Sequence, residues 1–223
     1  MTRTKEATYA MRVLQGLEHD SSSVRMQAAL AIGTNPDPGS IGKLVERCAI
    51  EPDFSVRETL TWALTRHAAS LTVPALLEEV RSECAQARSQ ALHTLSKIGD
   101  RRAWPAITPA LLSDADDEVA RSAWRAAVAL VPDDEQRALA VLLARQLGRG
   151  GRETRRSLSR ALIALGEVML PILGAAANDV DPGVRTHARA TERLWRDPEA
   201  GFEFAVEESK RVVALGGSGL EER

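Results

Sequence analysis

Aromatic side chains are scarce in this 223-residue chain: three Phe, one Tyr and four Trp make up 4% of it. Sheet sandwiches are built from aromatic and β-branched residues. The shortage, with Ala and Leu supplying most of the apolar content, therefore favours closely packed helices. Cysteine is nearly absent. Cys48 and Cys84 make neither a disulfide framework nor a zinc site, and both fall on apolar helical stretches, which predicts two buried free thiols. Lysine occurs only at Lys5, Lys43, Lys97 and Lys210, so the basic residues are overwhelmingly Arg. The formal charge is −2 and the pI about 6.1, whereas a dedicated nucleic-acid binder carries a basic surplus. No uninterrupted apolar run approaches the roughly 20 residues that span a bilayer. The opening Met1-Thr-Arg-Thr-Lys-Glu6 lacks the apolar core of a signal peptide. These features predict a cytoplasmic protein without membrane contact.

What is present is repetition. Six segments align, beginning at Asp20 (DSSSVRMQAALAIG), Asp53 (DFSVRETLTWAL), Cys84 (CAQARSQALHTLSKIG), Asp116 (DDEVARSAWRAAVAL), Glu153 (ETRRSLSRALIALG) and Asp181 (DPGVRTHARATERL). Anchored at Val24, Val56, Ala87, Val119, Thr154 and Val184, they recur at steps of 32, 31, 32, 35 and 30 residues, the length of a two-helix hairpin. Apolar residues fall at offsets 0, +4, +7, +8 and often +11, as in Val119, Ala123, Ala126, Ala127 and Leu130, which is one buried stripe on a helix. An acidic residue three or four positions before the anchor fits an N-cap, Pro182 fits a first helical position, and Ser55-Val-Arg-Glu58 reads as a capping box. A second apolar stripe precedes each of these helices, for example Ile41/Leu44/Val45/Cys48 and Leu139/Leu142/Leu143. Pro74, Pro105 and Pro171 mark the starts of these first helices, where proline is tolerated. Cys84 and Trp195 are expected inside, Trp195 at core offset +11 and Trp104 packing on a first helix.

The stretch from Ile98 to Leu130 (IGDRRAWPAITPALLSDADDEVARSAWRAAVAL) resembles the short HEAT-like repeat of phycobilisome lyases and many bacterial scaffolds, and the resemblance extends over about residues 4 to 195. It implies an all-α fold: a right-handed α-α superhelix, or α-solenoid, of six HEAT-like two-helix repeats with a C-terminal capping helix. The chain then reads as one solenoid over 1–215, with repeats at about 4–34, 38–68, 71–99, 102–131, 133–166 and 167–196. A cap at 198–215 would cover the apolar face that a solenoid leaves at its end, and 216–223 would be a flexible tail. The resemblance further implies a ladder between neighbouring repeats, made by the Asp and by the Arg after the Val: here Arg25, Arg57, Arg88, Arg155 and Arg185. Ala120 replaces that Arg in repeat four and Gly150-Gly151 replace the Asp in repeat five, so the stacking angle is expected to change there.

Chemistry of catalysis is hard to find. His19, His67, His93 and His187 fall in different repeats, and the chain has no H-E-x-x-H, no C-x-x-C and no Gly-rich phosphate loop. Iron-binding HEAT-like hydroxylases use His-Glu pairs, and this sequence has no His-Glu dipeptide. Nothing in it singles out a bilin lyase. Gly148-Arg-Gly-Gly-Arg152 is better read as the loop inside repeat five than as a phosphate cradle. No cofactor, metal ion or catalytic residue is expected.

The second helices should present offsets +2 and +6 to the concave side. Offset +2 gives Met26, Glu58, Ser89, Arg121, Arg156 and Thr186, and offset +6 gives Leu30, Trp62, His93, Arg125, Arg160 and Ala190. Glu58, Trp62 and His93 therefore mark the first half of the groove, and Arg121, Arg125, Arg156 and Arg160 the second, bordered by Trp124. Four guanidinium groups on adjacent helices call for an anion: a phosphate, an acidic peptide or a nucleic-acid backbone. The plainer alternative is a solvated face balanced by Asp116, Asp117, Glu118 and Glu153, with the tryptophans packed. The sequence thus predicts a scaffold or adaptor, not an enzyme, that takes another protein or peptide in its groove through an acidic or phosphate group. The alternative is a nucleic-acid-binding protein related to the HEAT-like alkylpurine DNA glycosylases, disfavoured by the acidic pI and by the want of a groove Asp beside a Trp.

Overall fold

Helix starts are set by short polar side chains at the expected places. In the computed structural model, which describes residues 11–197, Asp53, Asp116 and Asp181 each stand just before a helix and accept hydrogen bonds from backbone N–H groups of its first turn. The helices are α1 (11–16), α2 (Ser22–Thr34), α3 (Ile41–Ile50), α4 (Phe54–Thr65), α5 (Ala69–Glu79), α6 (Ala85–Ile98), α7 (Pro109–Leu112), α8 (Asp117–Leu130), α9 (Gln136–Ala144), α10 (Arg152–Ala164), α11 (Leu170–Ala176) and α12 (Pro182–Arg196). Short 3-10 turns occupy Pro38–Ser40, Arg101–Ala106, Asp133–Glu135 and Gly166–Met169. No strand occurs among the described residues, so the fold is all-helical. The expected cap 198–215 and tail 216–223 lie outside the described residues.

The chain divides into two compact units after Leu143. In the first, α2 packs on α4, α4 on α6 and α6 on α8, while α3 lies against α4, α5 and α6. Small residues make these approaches close: Ala63, Ala91, Ala123, Ala126 and Ala127 are all buried, among Leu44, Leu60, Leu64, Leu92, Leu95 and Leu130. Each fully buried Leu is worth about 1.5–3 kcal/mol. In the second unit α10 and α11 both pack on α12, and Leu158, Leu162, Met169, Leu173 and Ala188 form the interior.

An arginine motif recurs at the helix starts. Arg25, Arg57, Arg88 and Arg185 each turn Nη1 back onto two carbonyl oxygens of the loop before their own helix, at 2.7–3.1 Å. The other edge of the guanidinium reaches forward. Arg25 donates through Nε and Nη2 to the Glu51 carboxylate, both at 2.7 Å, and Arg88 does the same to Asp114 at 3.2 and 3.3 Å. Each of these acids stands two residues before the next cap, whose N–H it also accepts: Asp53 N at 2.9 Å from Glu51 and Asp116 N at 2.9 Å from Asp114. The forward acid in these two steps is therefore Glu51 or Asp114, and the capping Asp that the resemblance pointed to is two residues further on.

Several expectations are corrected. Cys84 is exposed because it takes the N-cap position of α6, where α4, α8 and α12 carry Asp. Cys48 is buried as expected, and burial pushes its thiol up to about 12. Val24 is exposed, since among the described residues no second helix precedes α2 to cover it. The Ser55–Glu58 capping box does not form: Asp53 caps α4, accepting from Val56 N at 3.1 Å, which leaves Glu58 free to turn outward. Pro74 lies inside α5, because that helix begins at Ala69.

Candidate binding face of the second helices

In the first unit, α4, α6 and α8 bring Glu58, His93, Arg121 and Arg125 to one place. Glu58 and Trp62 lie one turn apart on α4, His93 is on α6, and Arg121 and Arg125 lie one turn apart on α8. Nε2 of His93 stands 3.2 Å from Oε1 of Glu58, off the line of a hydrogen bond. Arg121 donates from Nη1 to Glu118 Oε1 at 2.8 Å, and Arg125 from Nη2 to Ser122 Oγ at 2.9 Å. Glu118 is one of the acids expected to balance the arginines, whereas Ser122 escaped the sequence reading as a partner. Its spacing of three residues before Arg125 was the available signal.

Unpaired buried polar atoms collect here. Both ring nitrogens of His93 and Nε of Arg121 are buried without a hydrogen-bond partner. Such a group costs about 1–3 kcal/mol when left unmet. The contrast with the other buried histidines is direct. His67 meets Ala63 O at 2.8 Å and Ser40 Oγ at 3.0 Å, and His187 accepts from Gly148 N at 3.1 Å while its other nitrogen lies within 3.1 Å of Arg155 O and Ser159 Oγ.

Electrostatics follow from this crowding. Burial lowers the His93 pKa and the charge of Glu58 raises it, while Arg125 and Lys97 lower it further, so the ring is neutral at neutral pH. The Arg125 pKa is lowered by burial of its head group and then by Arg121, against the pull of Glu118 and Glu58. Arg125 thus holds its charge beside a like charge, with a neutral hydroxyl as its hydrogen-bond partner. A carboxylate or phosphate placed there would meet two guanidinium groups, which bind such anions through paired N–H donors.

Trp62 is placed by a glycine. A Cβ at Gly33 on α2 would clash with Cζ3 and Cε3 of the Trp62 ring and stand 2.9 Å from the Ala63 Cα, so only glycine lets the indole lie across α2. Its outer surface remains 39% exposed, next to Leu30 at 43%. Trp124 does not border the face. It is fully buried, with Nε1 donating to Leu112 O at 2.8 Å, because offset +5 turns into the packing of α7 on α8. His93 is also more deeply set than its offset implied, with 9% exposure.

In the second unit Arg156 and Arg160 lie one turn apart on α10 and both are exposed. Arg156 stands 3.6 Å from Glu153. The loop Gly148–Gly151 is a turn, with Gly148 at φ +84° and Gly150 at φ +66°, and the Gly148 amide is taken by His187. Among the described residues no group of three or more His, Cys, Asp or Glu side chains could hold a metal ion. No described helix is long and apolar enough to cross a membrane.

No family model matches the chain, and no curated protein matches it. Among solved structures, two engineered proteins of the Northeast Structural Genomics Consortium are similar to it at 18% identity. One has a TM-score of 0.47 and covers 86% of this chain and 97% of its own, and the other has a TM-score of 0.45 with 82% and 96%.

Proposed function

We propose that the protein is an α-solenoid of HEAT-like repeats that acts as an interaction scaffold, and that a partner protein or peptide docks an acidic or phosphorylated group on the second-helix face at Arg121 and Arg125. The observation that carries this reading is the pair of guanidinium groups at Arg121 and Arg125, of which Arg125 has the neutral Ser122 hydroxyl as its hydrogen-bond partner. The second helices α2, α4, α6 and α8 pack in series, and their start motif recurs at Arg25, Arg57, Arg88 and Arg185, which supports the repeat reading. Arg156 and Arg160 offer a second basic pair of the same spacing on α10.

The test compares a glutamate-rich peptide, its phosphoserine counterpart, a glutamine-rich control and a DNA duplex, each labelled and titrated at physiological salt. Glutamate or phosphoserine peptide should bind, and the Arg121→Ala, Arg125→Ala double variant should bind at least tenfold less while melting within a few degrees of wild type. Leu162→Ala, at a fully buried position, should do the reverse, losing about 2–5 kcal/mol of stability with binding retained. Preference for DNA over both acidic peptides would replace this reading with the nucleic-acid one. A double variant that unfolds at markedly lower temperature would make the arginines structural.

A further inference from the structure

The arginine ladder has one step whose forward acid is missing. In the steps from Arg25 and Arg88, the residue two before the next cap is Glu51 or Asp114, and it does two things: it accepts the N–H of the cap residue and it receives the guanidinium from the preceding repeat. For Arg57 the corresponding residue is Ser82, two before the Cys84 cap. Ser82 Oγ still accepts the Cys84 N–H, at 3.2 Å. It carries no charge and does not meet Arg57. The serine keeps the local turn and drops the bridge.

Arg57 is otherwise placed as its counterparts are. Its Nη1 donates to Glu51 O at 2.9 Å and Pro52 O at 2.8 Å, and its head group lies 5.7 Å from the Phe54 ring centroid. Arg57 lines a cavity of about 230 Å³ with Gln86, Ser89, Gln90, Asp116 and Glu118, and its Nε and Nη2 are not taken by the loop carbonyls. Gln90 Oε1 on that wall is buried without a hydrogen-bond donor. The amide nitrogen of Gln86 is already committed, to Glu51 O at 2.8 Å and Cys48 O at 3.1 Å. Arg57 therefore brings to the cavity the one guanidinium of its lining, with no acid from its own ladder step.

We propose that this cavity is a binding site for an acidic residue of a partner peptide, whose side-chain carboxylate completes the ladder step at Arg57. A carboxylate fits the guanidinium edge as Glu51 fits that of Arg25. Asp116 and Glu118 also line the cavity, and they repel a doubly charged phosphate more than a singly charged carboxylate. Glu118 belongs to this lining and to the Arg121 ion pair, but neither Arg121 nor Arg125 lines the cavity, so either reading can fail alone.

The experiment uses the full chain labelled with nitrogen-15 and follows the Arg57 Nε–H signal, assigned by its loss in Arg57→Lys. N-acetyl-glutamate methylamide is titrated against N-acetyl-glutamine methylamide at constant ionic strength. The glutamate probe should shift that signal saturably in the millimolar range expected of a single ion pair, and the glutamine probe should not. Ser82→Asp supplies the missing acid from within. It should raise the melting temperature and weaken the probe at least tenfold. No saturable shift, equal shifts from the two probes, or an unchanged titration in a folded Ser82→Asp variant would each overturn the proposal.

Discussion

Glu51 carries a large share of the electrostatic stability of the first unit, and its removal can be worked through. The residue is fully buried, and its carboxylate receives Arg25 Nε and Nη2 at 2.7 Å, Arg47 Nε at 2.8 Å and Asp53 N at 2.9 Å. Burial by itself would raise its pKa. The hydrogen bonds from Arg25, Asp53 and Arg47, with the charge of Arg47, outweigh it and hold the carboxyl at about 2 instead of 4.5. A carboxyl so held is worth about 3 kcal/mol at neutral pH, discounted towards 2 because Arg47 reaches solvent. Glu51→Gln keeps the size and one acceptor but strands two guanidinium groups. Stranding a buried partner costs about 3–5 kcal/mol, so a loss of about 3 kcal/mol is expected by urea denaturation at pH 7. A depressed carboxyl stabilises fully above its unfolded pKa, because the unfolded chain takes up the proton first as pH falls. The difference between wild type and variant should therefore be constant above about pH 4.5 and shrink towards pH 2. A difference under about 1 kcal/mol at pH 7, or one that does not shrink between pH 5 and 2.5, would refute the reasoning.

Three further outcomes are expected. Gly33→Ala should drive the Trp62 ring off α2 and part α2 from α4, lowering stability by about 1–3 kcal/mol and red-shifting emission, an emission change that Trp62→Phe removes. Under native conditions at pH 8, a thiol reagent should titrate Cys84 quickly and Cys48 only on unfolding, since burial holds the Cys48 thiol at about 12; rapid reaction of both would contradict this. His93 and His187 are both depressed, first by burial, so the unfolded chain binds more protons below about 6.5 and stability should fall as pH drops through that region. His93→Gln should flatten part of that dependence, and a urea midpoint that rises on acidification would oppose it.

Much of this was legible in the sequence, because helix starts and apolar stripes are local. The caps at Asp53, Asp116 and Asp181 and the buried anchors Val56, Ala87 and Val119 lie where the repeat alignment put them. What escaped depended on which residue a side chain reaches across the stack. The forward partner of Arg25 is Glu51, hidden beside Pro52 and outside the aligned segments; extending the alignment two residues back, to Glu51, Ser82, Asp114 and Asp179, would have exposed both the ladder acid and its gap at Ser82. Trp124 was misplaced because offset +5 points along the boundary between groove and core, and the short α7 beside it decides the matter. The register of Glu58, His93, Arg121 and Arg125 followed from helical periodicity, but the absence of hydrogen-bond partners for the His93 ring is a property of the packed neighbours alone.

The central claim is that partners dock on the second-helix face, and site-specific photocrosslinking in an extract of the native host tests it most directly. A photoreactive phenylalanine is placed at Trp62, on the second-helix face, or at Leu71, exposed on α5 as a first-helix control. The account predicts a discrete adduct from position 62 that is lost with Arg121→Ala, Arg125→Ala and competed by the glutamate-rich or phosphoserine peptide, and none from position 71. An adduct from position 71 alone, or one from position 62 that survives both arginine substitutions and peptide competition, would contradict it.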